Sequence, residues 1–329
     1  MSSGAVSQLL VALLVLFVAL DVVTVLPYVL VRWRERFSPR DFAQQAGAGG
    51  DFMTIDHHEV HYVDEGPRDG IPVVLVHGFG AWSFAWRLQR IALVNAGFRV
   101  ISFDELGSGA SARPHGPVYT TAYQAEIFLG IMDGLGVRAA HLVGHSYGGR
   151  LAMLVAIKAP ARVLTLTGID PEAFSVGRPP MAFALRLPVI GFAFAFYATA
   201  PFLIRPFMKT VAKTLDWFSI EIEKGYQAPV FVRGTAMSQV WQARSLKDGD
   251  ISVPENLARI TQPTLLIWGS ADAVFPASDG EKLLAILPTA QLHVIEGAGH
   301  VPYEEKPDEL NGVLLAFLSA HPRSIGVNA

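Results

Sequence analysis

The sequence predicts an α/β chain: a doubly wound, mostly parallel sheet, interrupted by a helical insertion and preceded by a membrane-spanning helix. Three observations carry that expectation. Short, continuous apolar runs, the pattern of strands buried on both faces, alternate with helix-like segments from Pro72 to Ile295. One run, Ala139 to Val143, leads through Gly144-His145-Ser146-Tyr147-Gly148 into Leu151, Ala152, Leu154, Val155 and Ile157 at helical spacing: a strand, a tight turn and a helix. The stretch between Asp170 and Gln262 is too long for one crossover and shows no obvious strand. Strands alternating with helices pair in parallel through right-handed crossovers, and such sheets bind ligands at the carboxyl ends of their strands.

Composition bounds the rest. At 329 residues, 51% of them apolar and only 17% charged, the chain has material for a large core or for membrane contact. A net charge of -3 gives no basic face for phosphates, so nucleic acid is not an expected partner. Cysteine is absent, which excludes disulfides, thiolate chemistry and Cys-ligated zinc.

Leu9 to Val31 is almost wholly Leu, Val, Ala and Phe, long enough for a helix to cross about 30 Å of hydrocarbon. A cleaved signal peptide fits less well: residues 1–8 carry no charged side chain, and Leu26-Pro27-Tyr28 is unlike a small-residue cleavage site. Asp21 costs about 2.5–3.5 kcal/mol at mid-span. Each surrounding Leu, Val or Phe returns about 0.3–0.6 kcal/mol, so insertion remains favoured over a helix packed on a soluble domain. Arg32, Arg34, Arg36 and Arg40 follow at once, which keeps that flank, and the main domain, cytoplasmic. The expected organisation is a membrane anchor over 1–37 (span 9–31), a linker over 38–51 flexible in its Gly-rich part, a core over 52–170 and 256–320, and an insertion over 171–255.

Polar–apolar alternation from Phe52 to Val63 predicts antiparallel edge strands. Buried strands follow at Pro72–Val76, Phe98–Phe103, Leu164–Ile169, Thr264–Trp268 and Gln291–Ile295, with a helix over 121–136. Their carboxyl ends carry His77-Gly78-Phe79-Gly80, Asp104, Ser146, Asp170, Trp268-Gly269-Ser270-Ala271-Asp272 and Gly297-Ala298-Gly299-His300.

In these motifs, their order and their spacing, residues 52–320 resemble the α/β-hydrolase family, in particular its lid-containing serine hydrolases of esterase and lipase type. The resemblance implies a serine nucleophile, an acid and a histidine base in that chain order. One departure stands out: family members often have Arg in the Asp-x-x-Gly-x-Gly-x-Ser turn, where this chain has Leu106. Epoxide hydrolases and haloalkane dehalogenases resemble the chain too, but carry Asp at the nucleophile position, which Ser146 argues against.

The residues can be weighed singly. A serine hydroxyl needs an adjacent base, and His300, after a glycine-flanked strand end, is the candidate to serve Ser146. The base in turn needs a carboxylate. Asp272 is favoured, and Asp170, at the end of the preceding strand, is the alternative. Two backbone N–H groups, of Tyr147 and Phe79, are the expected oxyanion donors. The other histidines are read as architecture: His57, His58 and His61 on a solvated edge strand, His145 as packing, His77 as a structural hydrogen-bonding residue, His141 and His293 as satisfied core residues. Trp82 and Trp86 read as core packing. No metal or cofactor is expected.

The insertion reads as a helical lid over the strand ends. Met181, Phe183, Leu185 and the aromatics through Phe207 make it greasy, while Pro188, Pro201 and Pro206 break any second span. An anchored chain with such a lid points to a hydrophobic ester or lipid as substrate. Carbon–carbon bond hydrolysis on the same three residue types, and a non-catalytic binding protein keeping the fold, are the alternatives.

Overall fold

The computed structural model describes residues 3–174, 187–245 and 254–322. Met181, Phe183 and Leu185 of the expected lid lie outside them.

The chain opens with α1 (Ser3–Arg34), an uninterrupted helix that passes through Pro27. Within its Ala12–Arg34 stretch, an 18-residue window has a mean hydropathy of 2.5 and only 6% of its residues buried, so most of it projects away from the domain. The carboxyl end does dock. Tyr28 packs on Phe192 with ring centroids 4.2 Å apart, and Arg34 lies over the Phe196 ring, 3.9 Å from its centroid.

The expected linker is a docked helix instead, α2 (Pro39–Ala46). Ser38 and Asp41 form a reciprocal capping box, Pro39 presets the first turn, and Gly47 closes the helix in the left-handed conformation. Phe42 is buried against Trp82. The glycines after Gly47 do not loosen this segment, because Gly49 O is held by His61 at 2.8 Å.

Eight strands then form one sheet: β1 (Asp51–Ile55), β2 (His58–Glu65), β3 (Pro72–Val76), β4 (Arg99–Phe103), β5 (Ala140–His145), β6 (Val163–Ile169), β7 (Thr264–Gly269) and β8 (Ala290–Ile295). The spatial order is β1-β2-β4-β3-β5-β6-β7-β8. The β1/β2 and β2/β4 pairs are antiparallel and every other pair is parallel. β3, β4, β5 and β7 are buried at every residue, which is why they read as unbroken apolar runs. One face is covered by α4 (Thr121–Gly134), α5 (Tyr147–Lys158) and α10 (Ala277–Ile286). The other is covered by α3 (Arg87–Asn95) and α11 (Pro307–Ala320).

Between β6 and β7 the described insertion is helical: α6 (Pro188–Ala198), α7 (Ile204–Val211), α8 (Ile220–Gln227) and α9 (Thr235–Ser245). α6 and the segment from Pro201 to Val211 meet at a 62° bend, as the prolines predict. Glu35, just after α1, accepts from Gly234 N and Ala236 N, both at 2.8 Å, so the residue that follows α1 caps α9. Phe37 continues the link through Phe231 O at 3.1 Å.

Two histidine assignments change. His61 is fully buried rather than solvated: Nδ1 is 2.9 Å from Asp104 Oδ2 while Nε2 faces Gly49 O. Acceptors on both nitrogens make both of them donors, and although burial disfavours its charge, Asp104 raises the pKa of the ring. Removing one partner of such a buried pair costs about 3–5 kcal/mol, because the other charge is left alone. His293 errs the other way. β8 is the sheet edge, and the side chain is half-exposed beside Glu309. His141 is a core residue but only half satisfied: Nδ1 is bonded to Thr165 Oγ1 at 2.8 Å, Nε2 is buried without a partner among the described residues, and burial lowers its pKa to about 4.

Candidate active site

Ser146 sits between β5 and α5 with φ 53° and ψ −120°, a backbone conformation that non-glycine residues avoid and that costs about 1–3 kcal/mol. The turn closes only because its glycines lack a Cβ. One on Gly144 would lie 2.3 Å from Gly148 O, and one on Gly148 would lie 2.3 Å from Val76 O. The strain is held by backbone bonds: Ser146 N donates to Ile169 O at 3.0 Å, and Ser146 O accepts from Gly149 N at 2.9 Å and Glu172 N at 3.0 Å.

His300 and Asp272 are brought together. His300 Nδ1 lies 2.8 Å from Asp272 Oδ2, and the other carboxylate oxygen accepts from Val274 N at 2.7 Å and Phe275 N at 3.1 Å. Asp272 is thereby aimed at the imidazole, whose Nδ1–H it fixes, leaving Nε2 as the free basic nitrogen. The lid holds the histidine from behind, since His300 N donates to Val211 O at the end of α7. Glu305 accepts from Gly299 N on one side and from Lys213 N and Thr214 N on the other, all within 2.9 Å. His145, beside the serine, packs its ring 4.8 Å from that of His300 and donates through Nε2 to His300 O at 2.8 Å. Packing is thus its role, together with bracing the backbone of residue 300. No hydrogen bond joins Ser146 Oγ to the imidazole in this structure; such bonds are often long in unliganded enzymes and tighten around substrate.

Asp170, the alternative acid, is fully buried, and its Oδ1 accepts from Gly269 N at 2.9 Å. Burial first, and the nearby Asp272 second, push its carboxyl well above the usual range. Asp170 lies close to the pair, with a carboxyl oxygen and ring nitrogens of His145 and His300 all within 4.8 Å of one another, while the carboxyl group bonded to His300 Nδ1 is that of Asp272.

The loop after β3 approaches from the other side. A Cβ on Gly78 would meet His145 Nδ1 at 2.7 Å and Ser146 Cβ at 3.1 Å, so glycine is what permits the approach. His77 pins the loop, donating from Nδ1 to Gly78 O and accepting at Nε2 from Glu105 N. Among the described residues neither Phe79 N–H nor Tyr147 N–H donates a hydrogen bond; both remain unspent beside Ser146, Tyr147 at the start of α5. Trp82 and Trp86 are core, as expected.

A strand–elbow–helix serine, an acid after β7 and a histidine after β8, set on an eight-stranded sheet, match a known family. Residues 71–307 fit the family model described as the alpha/beta hydrolase fold. The chain belongs to the α/β-hydrolase family.

This hydrolase is 28% identical over 275 residues to a 2-hydroxy-6-oxononadienedioate/2-hydroxy-6-oxononatrienedioate hydrolase of a Pseudomonas species, covering 79% of this chain and 92% of that one. It is 28% identical over 276 residues to a carboxylesterase of Bacillus subtilis (strain 168), covering 81% and 86%. Among solved structures, one described as a membrane phospholipase A and bacterial virulence factor superposes with a TM-score of 0.70 at 27% identity, covering 95% of this chain and 98% of that one. Coverage that wide reaches back before β1.

Sequence reasoning missed two residues. Asp104 holds the base of the site together, accepting from Ser83 N at 2.7 Å and Ala110 N at 2.8 Å besides His61. Glu105 lines a cleft beside Phe79 and Tyr147. The available signal was an acidic residue in a turn otherwise made of small and apolar ones.

Proposed function

We propose that this chain is a membrane-anchored serine hydrolase that cleaves a hydrophobic carboxylic ester through an acyl-enzyme, using only its own side chains. The observation that carries the reading is the His300–Asp272 pair at 2.8 Å, braced by His145 beside the strained Ser146 elbow. Ser146 Oγ attacks the ester carbonyl carbon while His300 Nε2 takes its proton. The developing imidazolium is stabilised by Asp272, and the oxyanion by the N–H groups of Phe79 and Tyr147. Collapse expels the alcohol, which takes its proton from His300. Water, deprotonated by the same nitrogen, then attacks the acyl carbon and frees Ser146.

Membrane attachment is supported by the exposed, apolar α1 and by the likeness to a membrane phospholipase A that extends into it. The lid adds to it, with Phe202 and Phe207 exposed to 75% and 56%. The arginines after the span argue for a cytoplasmic catalytic domain, although Arg34, Arg36 and Arg40 also stack on aromatic rings once folded. A reporter fused to the C-terminus is expected to read cytoplasmic, and an external signal overturns that orientation.

The similarity to the Pseudomonas hydrolase favours a second reading, carbon–carbon bond hydrolysis by the same three residues. A series of p-nitrophenyl esters decides between them. Turnover that rises with acyl length beyond four carbons is expected. Turnover confined to the shortest chains removes the lipid reading, and no ester turnover at all leaves the carbon–carbon reading ahead.

A further inference from the structure

The cleft beside the oxyanion loop is mostly apolar, yet its wall also holds polar side chains that an ester of a plain long-chain acid would leave unmet. Phe79 and Tyr147, whose N–H groups are the oxyanion donors of the proposed mechanism, are among its lining residues, so whatever fills it lies close to Ser146. Its wall carries Glu105, Ser108 and Gln242, the last reaching in from α9 of the lid. Glu105 is 4% exposed, and its Oε1, fully buried, has no hydrogen-bond partner among the described residues. A buried carboxyl oxygen without a partner costs about 1–3 kcal/mol unless something arrives to meet it. Nor does the Ser108 hydroxyl or the Gln242 amide bond to any described side chain or backbone group. Three hydrogen-bonding groups from two separate elements thus converge, uncommitted, on one small space.

The charge state narrows the ligand. Asp104, next in sequence, is the ionised member of the pair, compensated by His61 and by backbone N–H groups. Burial, with Asp104 adding to it, raises the pKa of Glu105 well above the carboxylate range. No cationic side chain bonds it. Glu105 is thereby pushed towards the neutral acid, a donor and an acceptor together, which suits an uncharged hydroxyl better than an ammonium group.

Granting the ester-cleaving reading of Ser146, we infer that Glu105, with Ser108 and Gln242, forms a subsite for a hydroxyl borne by the substrate close to its scissile carbonyl. That hydroxyl can come from the alcohol half, as in a glyceryl ester, or from the acyl half, as in a 3-hydroxyacyl ester. Either way the substrate is amphiphilic at the reacting end, not hydrophobic throughout.

The test compares kcat/KM on three esters of matched length, glyceryl monobutyrate, ethyl 3-hydroxybutyrate and ethyl butyrate, for the full-length wild type, Glu105→Gln and Glu105→Met. Thermal melting checks that both variants fold. The wild type is expected to prefer one of the hydroxylated esters over ethyl butyrate by about ten- to hundredfold, and the preferred one identifies the half that carries the hydroxyl. Glu105→Met should collapse that ratio towards one, while Glu105→Gln, still a donor and acceptor, should keep most of it. Equal wild-type rates on all three esters, a ratio that survives Glu105→Met, or a Gln variant indistinguishable from Met overturns the subsite. So does a wild-type preference for butyrylcholine over ethyl butyrate that both variants abolish, because Glu105 would then be acting as a carboxylate. Turnover of ethyl butyrate without a hydroxyl preference sinks the subsite alone; no turnover of any ester and no fluorophosphonate labelling sinks the reading of Ser146, and the subsite with it.

Discussion

Replacing Ser146 by alanine is expected to lower kcat for ester hydrolysis by about 10⁶, to within 10³–10⁴ of the uncatalysed rate. The loss is that large because the hydroxyl is the only group at the elbow able to form the acyl-enzyme. The donors left behind, Phe79 N–H and Tyr147 N–H, still bind a carbonyl oxygen but have no covalent step to assist. The protein itself should not suffer. Ser146 makes its structural bonds through the backbone, and alanine removes only Oγ. The φ of 53° strains alanine no less than serine, so the melting temperature is expected to stay within a few degrees. Steady-state rates on a p-nitrophenyl ester, beside a thermal melt, check both halves. Retention of more than one-hundredth of the activity would show that some other group carries the attack.

The second large effect separates the two carboxylates. Asp272→Asn is expected to cost about 10⁴ in kcat, because an amide at 2.8 Å from Nδ1 either turns its NH₂ group to the ring or favours the wrong tautomer, and it offers no charge to the imidazolium. Asp170→Asn is expected to stay within about tenfold of wild type. Burial and the nearby Asp272 already push the native carboxyl towards its neutral form, and an amide still offers Gly269 N its acceptor. The linkage sign follows from the raised pKa. The folded state keeps a proton on Asp170 that the unfolded chain releases near pH 4, so stability falls as pH rises from there through the folded value. Asp170→Asn should remove that slope, as urea unfolding at several pH values would report. If the 10⁴ loss fell on position 170 instead, the acid assignment would be reversed.

Much of this was legible in the residues. The fully buried strands announced themselves as unbroken apolar runs because both faces of β3, β4, β5 and β7 are covered. The elbow was legible because a serine between two glycines after such a run has few other uses. What failed to show was what depends on partners distant in sequence. His61 looked solvated because its strand alternates, and nothing local reveals Asp104 forty-three residues later as its counter-charge. The docking of α2 was written in the Ser38–Asp41 capping box, but a run of glycines just after it drew the eye. His293 looked internal because edge position is a property of the sheet, not of the strand. Glu105 was hidden for a different reason. A buried acid with an unpartnered oxygen breaks the rule that polar groups go outside, and only the cleft beside it explains the exception.

The most direct test of the nucleophile is covalent. The full-length protein is treated with a fluorophosphonate, digested, and the adduct mapped by mass spectrometry, with Ser146→Ala alongside. A single phosphonylated site on the peptide carrying Ser146, absent from the alanine variant, is the predicted result. A folded wild type that takes no label, or takes it equally in the alanine variant, contradicts a reactive alcohol at that elbow.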